Sequence, residues 1–193
     1  MKKALLFIIL LNFSYYGFSQ NEEVKDIEET KSEGSTFQGI KYGVRGGLTI
    51  SNLDFDDAPP MENKHRNSFY IGFFADIGLS KTVSVVPEIQ FSPEGAKIEV
   101  LQLDYIQAPV LIKFRLSEKV KIGIGPQASL KSNKKDDGVK NFAYSGVAGL
   151  EYKLTHMLFA DVRYTYGISD VFDDNLAISA QNTSVQIGVG YKF

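Results

Sequence analysis

Residues 184–193 read SVQIGVGYKF, and their pattern decides the fold. Val185, Ile187, Val189, Tyr191 and Phe193 alternate with Ser184, Gln186, Gly188, Gly190 and Lys192. A period of two is the mark of a β-strand whose two faces meet different surroundings. The apolar face must touch either a protein core or lipid. The rest of the chain decides between them.

The same alternation recurs upstream. In IKYGVRGGLTI (40–50), Ile40, Tyr42, Val44, Leu48 and Ile50 oppose Lys41, Gly43, Arg45, Gly47 and Thr49. In SFYIGFFADIGL (68–79), Phe69, Ile71, Phe73, Ala75, Ile77 and Leu79 oppose Tyr70, Gly72, Phe74, Asp76 and Gly78. VSVVPEIQFS (83–92) continues after a Ser80-Lys81-Thr82 turn. A Pro93–Gly95 link leads to LQLDYIQAPVLIKFRL (101–116), the least regular segment. VKIGIGPQASL (120–130), FAYSGVAGLEYKL (142–154), MLFADVRYTYGI (157–168) and the closing segment complete eight strands. Each is near the ~9–11 residues that span a bilayer as a tilted strand.

The connections differ in length. Those around Lys81, Glu118 and His156 are tight. Those around Asp56 and Asp173 are long, the one around Lys134 is of middling length, and the link at Gly95 is short. Tight turns at one end, mostly longer loops at the other and an even strand count describe an outer-membrane barrel. The expected fold is therefore all-β: an eight-stranded antiparallel up-and-down transmembrane β-barrel over residues 39–193.

Two features place lipid on the apolar face. The polar face carries both signs of charge and many glycines, which suits a lumen that side chains must fill. The apolar face carries Tyr42, Phe69, Phe73, Phe91, Phe114, Phe142, Tyr144, Tyr152, Tyr164, Tyr166, Tyr191 and Phe193. So many rings suit an outward band with aromatic borders. The terminal aromatic adds a third, because Tyr191 and Phe193 form the usual assembly signal of outer-membrane barrels. Against this stand Pro87, Pro109 and Pro126, each of which implies a bulge or a lost hydrogen bond in a closed sheet. A soluble secreted barrel with its apolar face inward is the alternative at the level of fold.

The N-terminus reads as an export signal. Lys2 and Lys3 precede an unbroken apolar run from Ala4 to Leu11, and Gly17 and Ser19 set up a cut after Ser19. The run is too short to span a bilayer as a helix. Residues 1–19 are thus expected to be removed. Residues 20–38, polar and acidic, are expected to form a flexible periplasmic leader. The chain has no cysteine, which excludes disulfides, thiolate metal sites and a thiol nucleophile. Its formal charge of −2 gives no footprint for nucleic acid.

Four segments carry a resemblance: YGVRGGLTISNL (42–53), VPEIQFSPEGAK (86–97), DYIQAPVLIKFRL (104–116) and IGIGPQASL (122–130). In this order they resemble the landmarks of the Bacteroidota outer-membrane β-barrel family, the PorT-like or "porin family" group, over roughly Ile40 to Phe193. The resemblance implies an eight-stranded barrel delivered through the periplasm by the barrel-assembly machinery. It carries no shared catalytic residues.

The chemistry available is limited. His65, with Ser68 and a loop aspartate, imitates a rim hydrolase, but nothing in the sequence fixes that geometry, and a solvated loop histidine is the favoured reading. His156, in a turn on the opposite rim, is read as structural. The acidic groups Asp54, Asp56 and Asp57, Asp136 and Asp137, and Asp173 and Asp174 lack the spacing of a calcium loop. VRGGL has no following helix or phosphate-binding lysine. The most informative set is the polar face: Arg45, Asp76, Glu88, Lys113, Arg115, Glu151, Asp161, Arg163 and Lys192. These charges are read as a lumenal plug, because buried charges need partners.

The expected protein is a monomeric, non-enzymatic outer-membrane barrel, an envelope scaffold or partner-binding barrel with a charge-plugged lumen. A narrow pore for small solutes or ions is the alternative, and a lipid hydrolase is third. Expected partners are outer-membrane lipid and lipopolysaccharide, the barrel-assembly machinery during insertion, and an unidentified envelope protein. Neither a cofactor nor a metal is expected.

Overall fold

The computed structural model describes residues 39–55, 64–97, 102–132, 138–172 and 179–193. The expected signal and leader (1–38), and Asp56, Asp57, Asp136, Asp137, Asp173 and Asp174, lie outside the described residues. Eight strands follow in chain order: β1 (Ile40–Phe55), β2 (Arg66–Gly78), β3 (Val83–Gly95), β4 (Gln102–Arg115), β5 (Val120–Lys131), β6 (Phe142–Lys153), β7 (Leu158–Gly167) and β8 (Ala180–Lys192). Each pairs antiparallel with its sequence neighbour, and β1 pairs with β8 to close the barrel. Closure leaves no unpaired edge, which is what a spanning sheet requires where no water can satisfy the backbone.

Three turns use one local device. Ser80, Ser117 and Thr155 each follow a leucine, and their side-chain oxygens accept the backbone N–H three residues on, at Val83, Val120 and Leu158 (3.0, 3.1 and 2.9 Å). The hydroxyl supplies an acceptor inside the turn, so four residues suffice to reverse the chain. These turns share one end of the barrel with Gly39 and Phe193, whose amide donates to the Tyr42 carbonyl at 2.9 Å.

At the other end the strands run longer than their period suggests. Residues 51–55 belong to β1, because their partners 180–184 continue β8. Pro93, Glu94 and Gly95, expected to be a link, are the last residues of β3, paired with Asp104, Leu103 and Gln102. Bridges His65↔Ala96 and Val139↔Phe172 tie neighbouring loops together.

Pro87, Pro109 and Pro126 introduce no bulge. The β2–β3, β3–β4 and β4–β5 ladders each break opposite one of them and resume in the same register. Each proline removes ladder bonding locally without adding a residue.

The faces divide as the alternation demands. The aromatic residues expected on the apolar face are all exposed around the barrel, from Tyr42 to Phe193. Five further rings, Tyr70, Phe74, Tyr105, Phe159 and Phe172, are buried. Glycine makes this possible. A Cβ at Gly188 would overlap the Tyr70 hydroxyl, at Gly43 the Phe74 ring, and at Gly190 the Phe159 ring. The rings occupy volume that glycines on neighbouring strands leave empty.

Gly190→Val is therefore expected to block closure around Phe159. Overpacking of a filled interior costs about 1–3 kcal/mol or more. The fraction of compact, fast-migrating protein in unboiled SDS gels should fall, and adding Phe159→Ala should restore it.

Candidate functional site

The inward positions of all eight strands converge on one filled lumen. Its middle is a ring of four charges. Arg45 (β1) lies 3.1 Å from Glu88 (β3) and 2.7 Å from Asp161 (β7). Arg163 (β7) lies 2.9 Å from Glu88 and 3.1 Å from Asp161. Two guanidiniums and two carboxylates alternate, so each charge has two opposite neighbours. Glu88 accepts aligned hydrogen bonds from both arginines, whereas Asp161 is held by charge without aligned bonds. The Arg45 guanidinium also lies over the Tyr70 ring, 4.4 Å from its centroid, and donates to the Tyr70 hydroxyl at 2.7 Å.

Towards the turns lies a second chain of charges. Glu151 accepts from Lys113 and Lys192, both at 2.6 Å. Asp76 accepts from Lys192 at 3.0 Å and from Lys121 at 3.2 Å. Phe74 and Phe159 meet edge to face beside it, with centroids 5.7 Å apart, and Lys192 Nζ lies 4.8 Å from the Phe159 centroid.

Towards the loops the next layer is made of amides. Gln90 and Gln186 accept from Arg45 at 3.0 and 3.2 Å, and Gln90 donates to Gln107 at 2.5 Å. Glu94 follows, fully buried, accepting from Ser92 (3.0 Å) and Asn182 (2.6 Å). Above it Leu53, Leu103, Tyr105, Val139, Val171 and Phe172 pack into an apolar cap. The cap is braced by Asp170, whose carboxylate accepts from the backbone N–H of Phe172 and Ala180, both at 3.1 Å. Partial burial raises its carboxyl, but hydrogen bonds from Ser179, Ala180 and Phe172 outweigh that and hold it below the ordinary aspartate value.

The lumen is close-packed. A void of about 10 Å³ beside Lys113, Asp161 and Arg163 has room for roughly one water.

Of the residues singled out in the sequence, eight (Arg45, Asp76, Glu88, Lys113, Glu151, Asp161, Arg163 and Lys192) come together in these two clusters. Arg115 does not: it faces inward but stands exposed at the turn-end mouth. The sequence reading passed over Glu94, Lys121 and the glutamine layer. Extending the two-residue phase of β3 to its true end would have placed Glu94 inside, whereas Lys121 lay within the strand as read, in phase with Gly123 and Gly125. Tyr191 and Phe193 lie on the outer surface at the turn-end rim, with ring centroids 6.3 Å apart. His65 stands at the loop end, while the Ser68 hydroxyl donates to the Pro93 carbonyl, so the hydroxyl is engaged with backbone. Asp54 is exposed on β1. Among the described residues no group of three or more histidine, cysteine or acidic side chains is arranged to hold a metal.

An all-β closed barrel with an apolar aromatic exterior and a charged interior is the architecture of outer-membrane proteins. The chain belongs to the outer membrane protein β-barrel domain family, which it matches over residues 16–193. No curated protein matches the sequence. Among solved structures it is similar to Ail, the attachment invasion locus protein of Yersinia pestis, at 17% identity and a TM-score of 0.51. That match covers 79% of this chain and 98% of Ail. It is similar to Neisserial surface protein A at 15% identity and a TM-score of 0.51, over 81% of this chain and 100% of that one. At these identities the likeness is one of fold.

Replacing Arg45 by methionine leaves two buried carboxylates facing one arginine. Losing one partner of a buried pair costs about 3–5 kcal/mol. Urea unfolding in detergent micelles should show a loss of that size for Arg45→Met and almost none for Lys41→Met, because Lys41 is exposed at the mouth.

Proposed function

We propose that this outer-membrane barrel is a non-enzymatic envelope protein that acts through its surfaces, as a scaffold or partner-binding barrel. The observation that carries this reading is the filled lumen. A solute entering from the turn end meets the Lys113–Glu151–Lys192–Asp76 chain, then the four-charge ring, then the apolar cap. Displacing either charge cluster strands buried ions, which is costly. Transport through such a lumen needs a large rearrangement, whereas binding at either rim needs none.

The biogenesis belongs to the same proposal. Residues 1–19 direct export and are removed, and residues 20–38 lie in the periplasm as a leader available to an envelope partner. The barrel-assembly machinery reads Tyr191 and Phe193 and inserts the chain as a monomer among outer-membrane lipid and lipopolysaccharide. The four motifs from YGVRGGLTISNL to IGIGPQASL support membership of the PorT-like group of Bacteroidota. The hydrolase reading is weaker, since its candidate nucleophile Ser68 donates to backbone.

Planar-bilayer recording tests the reading. The purified full barrel is expected to give no steady conductance. Steady conductance whose ion selectivity changes in Arg45→Ala or Arg163→Ala would establish the pore instead.

A further inference from the structure

The two ends of the lumen are unlike. The loop end is closed by the apolar cap, but the turn end opens into a cup of about 300 Å³, with a second recess of about 140 Å³ sharing Lys41, Asp76, Arg115 and Lys121. The charge of this cup is one-sided in a chain whose formal net charge is −2. Lys41, Arg115, Lys119 and Lys153 line it, Lys81 lines the adjoining recess, and none of them forms an ion pair among the described residues. The acids that reach it are mostly committed. Asp76 is shared by Lys121 and Lys192, and Glu151 by Lys113 and Lys192. Among the described residues that line it, Glu118 alone remains.

The sheet register sets Lys41 opposite Asp76 and Lys121 opposite Glu151 but also makes one like-charge pair. Arg115 and Lys121 are direct cross-strand partners on the inward face. Like charges placed opposite each other destabilise a sheet. Asp76 relieves Lys121 at 3.2 Å but makes no ion pair with Arg115. The fold thus tolerates a repulsive pair at the mouth of a cavity ringed by further cations, an arrangement that an anion would neutralise.

We propose that this turn-end cup is a binding site for a compact, multiply charged phosphate group. Several cations around so small a volume call for more than one negative charge in close quarters, which phosphate supplies. The Arg115 guanidinium offers the planar fork that phosphate oxygens accept in pairs, and the lysines act as mobile point charges around it. The group has two sources with the same chemistry: a soluble diphosphate-like anion, or the headgroup of a phospholipid in the leaflet at this rim. The site takes its floor from the filled lumen and so rests on the plugged-barrel reading for its shape. Equilibrium binding and conductance are separate readouts, so either can fail alone.

The test is calorimetric titration of the full folded barrel with sodium pyrophosphate. It is run in detergent, in nanodiscs of zwitterionic lipid, and in nanodiscs containing phosphatidic acid. Arg115→Gln is expected to weaken binding about tenfold, the loss of one charge-assisted contact. It should fold at least as well as the parent, since it removes the repulsion with Lys121. Lys97→Gln, a like charge change at the loop end, should leave binding unchanged. Binding in detergent and in both nanodiscs supports a soluble ligand. Binding that phosphatidic acid abolishes supports a headgroup. Absence of pyrophosphate binding in every medium, equal binding by Arg115→Gln, or tighter binding of a hexaglutamate peptide would each overturn the proposal.

Discussion

Eight strands enclose a space that side chains must fill, and the bilayer outside forbids any break in the backbone ladder. Those two constraints together dictate the rest of the molecule. The apolar phase of every strand is committed to lipid, so the interior must be built from the other phase. That phase is polar here, and a dry polar interior is stable only if its charges are matched. The ring of Arg45, Glu88, Arg163 and Asp161 is the solution at mid-height, and it draws on three strands far apart in sequence. Closure and charge pairing therefore depend on each other: the ring can assemble only when β7 has come round to face β1 and β3.

Filling also explains the distribution of size along the inward face. Tyr70, Phe74 and Phe159 are too large to sit opposite other side chains in so narrow a tube. Phe74 and Phe159 instead lie over glycines that are their direct cross-strand partners, Gly43 and Gly190, and Tyr70 lies over Gly188, two strands away. The two ends then diverge for a simple reason. At the loop end, β1 and β8 run on past the charged layers and carry Leu53 and Ala180 into an apolar cap. At the turn end the strands stop abruptly at hydroxyl-capped turns, and lysines and Arg115 are left around an open mouth.

Much of this was legible in the sequence. Period two with a charged, glycine-rich phase placed eight of the nine chosen residues in the paired interior, because a two-residue phase fixes the face of every residue once one is known. Arg115 shared that phase, but phase carries no information about depth, and it lies at the mouth. Strand ends were the weak point. Residues 51–55 and 180–182 look like loop because they are polar or irregular, yet pairing with each other holds them in the sheet. Pro93 looks like a terminator, yet its carbonyl takes the Ser68 hydroxyl and the ladder continues past it. Glu94 was missed for the same reason. The three prolines suggested bulges, but register is set by long ladders on both sides, and losing a few hydrogen bonds does not shift it.

The central claim is that the phase of Ile187 and Val189 faces lipid while that of Gln186 and Gly188 faces a sealed interior. The chain has no cysteine, so single cysteines at positions 184–187 and 189 can carry spin labels without background. The decisive measurement is collision of those labels with oxygen, which concentrates in lipid, and with a water-soluble nickel chelate, in bilayers. Oxygen accessibility high at 185, 187 and 189 and low to both quenchers at 184 and 186 is the expected pattern. High accessibility to the nickel chelate at 185, 187 and 189, or no alternation at all, would contradict the account.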